Sequence, residues 1–228
     1  MKTTLTLQVG LLALGLGLGA NTAFGQAKQV RQTGAFHAIK ASGAVDIKLK
    51  QGSQTSVALE AKEEVLQYMR TEVQNGTLRI YRNDEGMSAA IRHLFNSDGN
   101  KVVVYITVPQ LTSVELSGAS EVKSGSVFTA DDFKIQASGA SEVTLHLKAK
   151  TLSVNASGAS DIKLSGQVES QQVHISGSSD YEASDLLSKR ATVDASGASD
   201  AYVSAESLSS HASGASDVHN KSKSVGVR

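Results

Sequence analysis

Seven acidic residues stand at matched places in this chain. Asp46, Glu121, Glu142, Asp161, Asp180, Asp200 and Asp217 each lie four residues after the serine that opens a Ser-Gly-Ala-Ser tetrapeptide or a close variant of it. If the copies stack, the carboxylates form one column. Carboxylate oxygens suit hard cations, so the chemistry on offer is capture of a divalent cation such as Ca2+, with Asp161, Asp180 and Asp200 as the ligands. Electrostatics supplies a plainer expectation. Two unit charges about 4.8 Å apart repel by roughly 0.9 kcal/mol even in water, so splayed, solvated side chains helped by Lys48, Lys123 and Lys163 two residues further on are the bland alternative. The nine-residue, glycine-paired repeat of Ca2+-binding β-rolls is not what this sequence carries.

A second column lies two residues before the tetrapeptides: Glu115, Gln136, Asn155, His174, Asp194 and His211. His174, Asp194 and His211 would be vertical neighbours. Two imidazoles and a carboxylate could hold Zn2+ or a similar ion; a polar, solvated face is the bland alternative. Nucleophilic catalysis is not expected. The serines lack the Gly-x-Ser-x-Gly elbow, and near-identical copies do not make the one distinct nucleophile, base and orienting group that a reaction needs. No catalytic residue and no cofactor are expected, and the chain reads as a non-enzyme.

The elements that must position these residues come from the repeat itself. Tetrapeptides start at Ser117, Ser138, Ser157, Ser176, Ser196 and Ser213, at nearly equal steps of which the first is the longest and the last the shortest, and an early copy starts at Ser42. Three residues before the serine sits Ile39, Val114, Ile135, Val154, Val173 or Val193, with Ser210 as the exception. Five residues after it sits Ile47, Val122, Val143, Ile162, Tyr181, Ala201 or Val218. Apolar residues at every second place mean strands. Each repeat therefore carries two strands meeting at a small-residue corner, and a weaker third segment returns the chain. A short, regular repeat of this kind is one coil of a solenoid. The expected fold is all-β: a right-handed parallel β-helix of about six coils with an N-terminal mixed β cap. An antiparallel sandwich or up-and-down barrel is the alternative.

The region before the main repeats reads differently. Val45 to Lys50, Ser56 to Glu60 and Lys101 to Val108 alternate like strands, Gln74-Asn75-Gly76 signals a hairpin, and Ala61 to Met69 and Met87 to Phe95 suggest short helices. Residues 1–25 have the positive start, apolar stretch and small-residue cut site of a secretory signal peptide. The apolar run is too short for a membrane span. The expected organisation is 1–25 signal peptide, 26–116 N-terminal cap, 117–220 solenoid continuous with it, and 221–228 polar tail.

Composition narrows the function classes. With 22 basic and 22 acidic residues the chain has no basic excess for nucleic acid. There is no Cys, so no disulfide, thiolate metal site or Cys-linked lipid. Serine is abundant, yet the ordered apolar alternation argues against disorder.

Taken in order, Phe36-x-x-Ile39-x-x-Ser42-Gly43-Ala44-x-Asp46-Ile47, Gln51-Gly52, Asn75-Gly76-x-Leu78-x-Ile80, Val104-x-Ile106-x-Val108-Pro109-x-Leu111 and the serial Ser-Gly-Ala-Ser copies resemble the auto-transporter adhesin, head GIN domain family over about 34–220. The resemblance implies an exported or envelope-associated β-solenoid of the adhesion type, and no catalytic residues come with it. No translocating barrel can be recognised after Asp217. The expected function is a non-enzymatic exported cell-envelope or surface binding module, in the periplasm, on the cell surface or secreted. A surface glycan or protein is the expected partner, with nucleic acid excluded and a homo-oligomer allowed. The alternatives are a carbohydrate-active β-helix enzyme of the lyase or hydrolase kind and a self-associating structural protein of the envelope.

Overall fold

The computed structural model describes residues 26–96 and 101–222. The proposed signal peptide, residues 1–25, lies outside the described residues, as do 97–100 and 223–228. The chain is nearly all β and forms a solenoid of about six turns.

The first coil is built early in the sequence. Strand β2 (Ala38–Gly43) turns at the first tetrapeptide into β3 (Val45–Gln51). The chain then leaves the stack. It makes β4 (Ser56–Ala61), the short helix α1 (Glu63–Leu66), the hairpin β5 (Met69–Gln74) and β6 (Thr77–Arg82), helix α2 (Ala89–Asn96) and β7 (Val102–Val108). It returns through β8 (Ser113–Gly118) into the serial coils β9 (Glu121–Ala137), β10 (Glu142–Ala156), β11 (Asp161–Ile175), β12 (Asp180–Gly197), β13 (Asp200–Gly214) and β14 (Asp217–Asn220).

The excursion becomes the cap. Strands β6 and β7 pair in parallel with β2 and β3 on one side of the first coil, and β8 and β9 pair with the same two strands on the other. The first coil is thus held between the cap and the rest of the stack. Beyond β7 the pairing turns antiparallel, through β4 to β1 (Ala27–Arg31), and β5 closes on β6 in the same way. The β5–β6 turn is Asn75-Gly76, with φ of 51° and 72°, the left-handed pair that a two-residue hairpin requires. Val65 and Leu66 of α1 are buried. Arg31 reaches across from β1 and donates from Nη2 to the carbonyls of Leu66 and Met69, tying the outer strand to that elbow.

Within the stack all pairing is parallel, which decides against the sandwich or barrel. One difference from the sequence-based expectation stands out. The two strands and return segment of each repeat are a single extended run of 15 to 18 residues from β9 to β13. At the bend only one residue per coil drops out of the ladder, because the coils above and below bend at the same place and resume their pairing at the next residue. In β10 the bend falls at Lys150-Thr151. Val143, Leu145 and Leu147 are buried before it, Leu152, Val154 and Ala156 after it, so the inward set changes from odd to even positions. The apolar columns read from the sequence are the core: Ile39, Val114, Ile135, Val154, Val173 and Val193 are all buried, as are Ile47, Val122, Val143, Ile162, Tyr181 and Ala201. Full burial of each Val, Leu or Ile contributes about 1.5–3 kcal/mol.

Candidate functional site

The two serines of each corner do different work. The second, at Ser120, Ser141, Ser160, Ser179, Ser199 and Ser216, points inward and is buried. Ser160 Oγ donates to the carbonyl of Ser157 at 3.0 Å, and the N–H of Ser160 donates to Ser179 Oγ at 3.3 Å. The same two bonds recur at Ser179, whose N–H reaches Ser199 Oγ. A turn buried against the coil above would otherwise strand polar backbone groups. The first serine faces out and leans on the coil below, as Ser138 Oγ does on Leu116 O and Ser176 Oγ on Ala156 O, both at 3.4 Å. The hydroxyls are therefore spent on holding the corner.

Beside the outer serines runs a groove of about 510 Å³ that crosses the coils. Its floor is Leu116, Ala137, Ala156, Ile175 and Ala195, and its wall is Glu115, Gln136, Asn155, His174, Asp194 and His211. Each wall residue is the register partner of the next. The floor residues face inward and are buried, so between the outward wall and serine side chains the backbone lies low and makes the trough. Lys40 Nζ binds Glu115 Oε1 at 2.5 Å at one end. Toward the other, His174 Nδ1 lies 2.9 Å from Asp194 Oδ2, and His211 follows Asp194 in register. The structure thus brings the predicted His174, Asp194 and His211 together as vertical neighbours. Among the described residues no group of three His, Asp or Glu side chains converges as a metal ion would need.

The acidic column also forms. Asp46, Glu121, Glu142, Asp161 and Asp180 are successive register partners, and Asp200 pairs with Asp217. Its two halves differ. Lys101 binds Asp46, Lys48 and Lys123 bind Glu121, and Lys123 also binds Glu142 at 3.2 Å. Lys163 makes none of the column's ion pairs found among the described residues. The Lys123 hydrogen bond holds the Glu121 carboxyl below its usual range, with Lys48 adding to it. Burial, then the charges of Asp180 and Glu142, push the Asp161 carboxyl up.

Opposite signs follow for stability. Glu121, with its folded value depressed, contributes stability at neutral pH that is lost as pH falls through that value. Asp161, with its folded value raised, opposes folding at neutral pH and ceases to do so on protonation. Glu121→Gln should lower the melting midpoint at pH 7 and low salt, and Asp161→Asn should raise it by about 1–2 °C. The Asp161 difference should fade as pH falls through the ordinary carboxylate range, and the Glu121 difference only at lower pH, as that carboxyl is protonated in the folded state too. Thermal melts of the two variants across pH check this, and a lower midpoint for Asp161→Asn at pH 7 would refute it.

A further column escaped the sequence reading. At the second bend stand Asp131, Lys150, Glu169, Lys189 and Glu206, alternating in sign, each one residue before the in-register set Asp132, Thr151, Ser170, Arg190 and Ser207. Lys150 Nζ binds Asp131 Oδ1 at 2.9 Å, and that bond, with Glu169 and Asp132 behind it, raises the Lys150 ammonium. Counted forward from the preceding tetrapeptide these residues are out of step. Counted back from the following one, each is seven residues away. The insertions that vary the repeat length all lie between the acidic column and this bend.

Residues 35–223 match the family described as "Putative auto-transporter adhesin, head GIN domain". Three solved structures share the architecture. A putative adhesin from Bacteroides fragilis is 18% identical, with a TM-score of 0.75 over 86% of this chain and 96% of that one. A putative adhesin from Parabacteroides merdae is 17% identical with a TM-score of 0.60, and a putative lipid binding protein from Parabacteroides distasonis is 14% identical with a TM-score of 0.61, each over the same shares. At these identities the likeness is one of fold. None of the curated proteins matches the chain significantly. No helix among the described residues is long and apolar enough to cross a membrane.

Proposed function

Since the chain belongs to the putative auto-transporter adhesin, head GIN domain family, we propose that it is a non-enzymatic, exported binding module of the cell envelope or surface, and that the groove beside the serine corner is where it holds its partner. The observation that carries this reading is the repetition of the groove: polar side chains of similar reach recur once per coil in register from Glu115 to His211, along one open trough. A repeated wall fits an extended partner that offers similar groups at each step. Amide and imidazole groups both donate to and accept from hydroxyls, and carboxylates accept from them, so a surface glycan is the partner this lining favours. The many small contacts would sum to affinity without any one residue dominating.

The test is binding of the purified protein to arrays of immobilised surface glycans and of extracellular proteins. Glycan binding that falls at least tenfold in Gln136→Ala/Asn155→Ala, with the melting midpoint within a degree or two of the parent, supports the groove. Binding untouched by the double variant would move the site elsewhere, and binding only to proteins would overturn the glycan assignment. Release of reducing or unsaturated ends from a bound polysaccharide would overturn the non-enzymatic reading.

A further inference from the structure

The first of the serial coils bulges where it meets the cap. In β9, Ser124, Gly125 and Ser126 stand where β10 has only Leu145, because Thr144 pairs with Lys123 and His146 with Val127. On the other side the ladder to β3 stops at Leu49, opposite Ser124. The two serines hold the bulge in place. Ser124 Oγ accepts from the His146 N–H at 3.0 Å, and Ser126 Oγ accepts from the Gln51 N–H at 2.7 Å. Bulges of this kind re-aim side chains and are frequent beside functional sites. Here the bulge borders a notch of about 410 Å³, lined by Lys48 and Lys50 of β3, Tyr105 of β7, and Lys123, Ser124 and Gly125 of β9. No Asp or Glu is in its lining. A hollow on the same run of β10 to β12 holds only about 110 Å³, and Glu182 and Asp185 are part of its wall.

We propose that this notch binds an acidic sugar, a hexuronate unit of a polysaccharide, with its carboxylate at the Lys50 ammonium and an apolar ring face against Tyr105. Three observations carry this. The first is charge. Lys48 and Lys123 are register partners, and both bind Glu121, which stands outside the lining. Lys50 forms none of the ion pairs found among the described residues. Like charges side by side on neighbouring strands cost stability, and an anion in the notch offsets that cost. The second is the aromatic ring. Tyr105 is 38% exposed. Lys28 lies 4.3 Å from its ring centroid on the cap side, while the notch lies on the side of β3 and β9. A bare inorganic anion would leave this apolar wall unused, whereas a sugar ring offers it a matching face. The third is Gly125. A Cβ there would meet only the Leu49 carbonyl oxygen, at an ordinary 3.8 Å, and its backbone is not left-handed. Neither stacking nor φ asks for glycine, as both do at Gly139 and Gly158. What the missing side chain does at 125 is keep the notch open. The site lies on the other run of the coil from the groove of Glu115 to His211 and does not depend on it.

Titration calorimetry of the intact protein with oligomers of galacturonate, glucuronate and mannuronate, with their neutral counterparts, and with sodium sulfate tests this. At least one uronate oligomer should bind about tenfold or more tighter than its neutral counterpart and than sulfate, and its binding should weaken as salt rises. Lys50→Ala and Tyr105→Ala should each weaken it by about tenfold or more. Gly125→Leu should do the same with the melting midpoint within a degree or two of the parent, because leucine fills the notch without displacing backbone. Gln136→Ala/Asn155→Ala should leave uronate binding unchanged, which separates this site from the groove. Failure of all three uronate oligomers to bind would overturn the proposal. So would sulfate bound as tightly as the uronates, which would mean charge alone, or uronate binding that survives Gly125→Leu or is lost in Gln136→Ala/Asn155→Ala.

Discussion

Gly158→Ala should destabilise the protein by about 2–5 kcal/mol, lowering its melting midpoint by roughly 5–15 °C. Two costs add at this corner. The residue has φ +85°, a left-handed conformation that side chains resist, and a Cβ built there would stand 2.5 Å from the carbonyl oxygen of Gly139 in the coil below. The obstacle is backbone, which cannot swing away as a side chain could. Gly43→Ala isolates the first cost. Gly43 is the first copy in the column and is also left-handed, at φ +106°, but a Cβ there meets nothing within 4 Å. It should lose only about 1–2 kcal/mol. Thermal or urea unfolding of the two variants side by side checks the claim. Equal losses would show that stacking distance is not what demands glycine.

Tyr181→Ala should cost about 4–6 kcal/mol, from the cavity it leaves and the polar partner it strands. Tyr181 is wholly buried in a column otherwise made of aliphatic residues. Its hydroxyl donates to Gln171 Oε1 at 2.7 Å, Gln171 Nε2 donates to Ser188 Oγ at 2.8 Å, and Ser188 Oγ donates to the Ser204 carbonyl at 3.1 Å. This buried chain ties three successive coils together. Tyr181→Phe keeps the ring and orphans Gln171 Oε1, for about 1–3 kcal/mol, and Gln171→Leu orphans the phenol for a similar amount. The double variant should lose less than the sum, because no unpaired polar group is left between them. Strict additivity in a double-mutant cycle would show that the bond carries no coupling. Burial also pushes the Tyr181 phenol above its ordinary range. Its contribution is complete below about pH 10 and is lost as pH rises past that value, so Tyr181→Phe should flatten the alkaline side of the stability profile.

The particular residues show how much could be read in advance. The inward columns and the acidic column were legible because each keeps a fixed distance from its tetrapeptide, and parallel stacking turns equal sequence distance into vertical contact. Tyr181 was visible as a member of its column, but its bond to Gln171 was not. Gln171 lies ten residues earlier, on the preceding strand, and only closure of the coil brings the two together. The alternating charges at the second bend were hidden by insertions of one to three residues upstream. The groove was half visible. Its wall was a column with a fixed offset, but that the wall and the outer serines bound one continuous open trough across the coils shows only once the coils are stacked.

The amino-acid sequence by itself determined the repeat, its strands, the glycine corner and the residues that would share a column, because a period-two pattern recurring at a nearly fixed interval has one economical way to bury its apolar side. Only the tertiary structure decided where the first coil goes. Residues 38–51 are followed by a cap of some sixty residues and yet touch the coil that begins at Ser113. No spacing in the chain announces that contact, since both faces of an early coil offer equally good edges. It was settled by which strands fill them: β6 and β7 take one side, and the glycine column, with Gly118 packed on Gly43, takes the other.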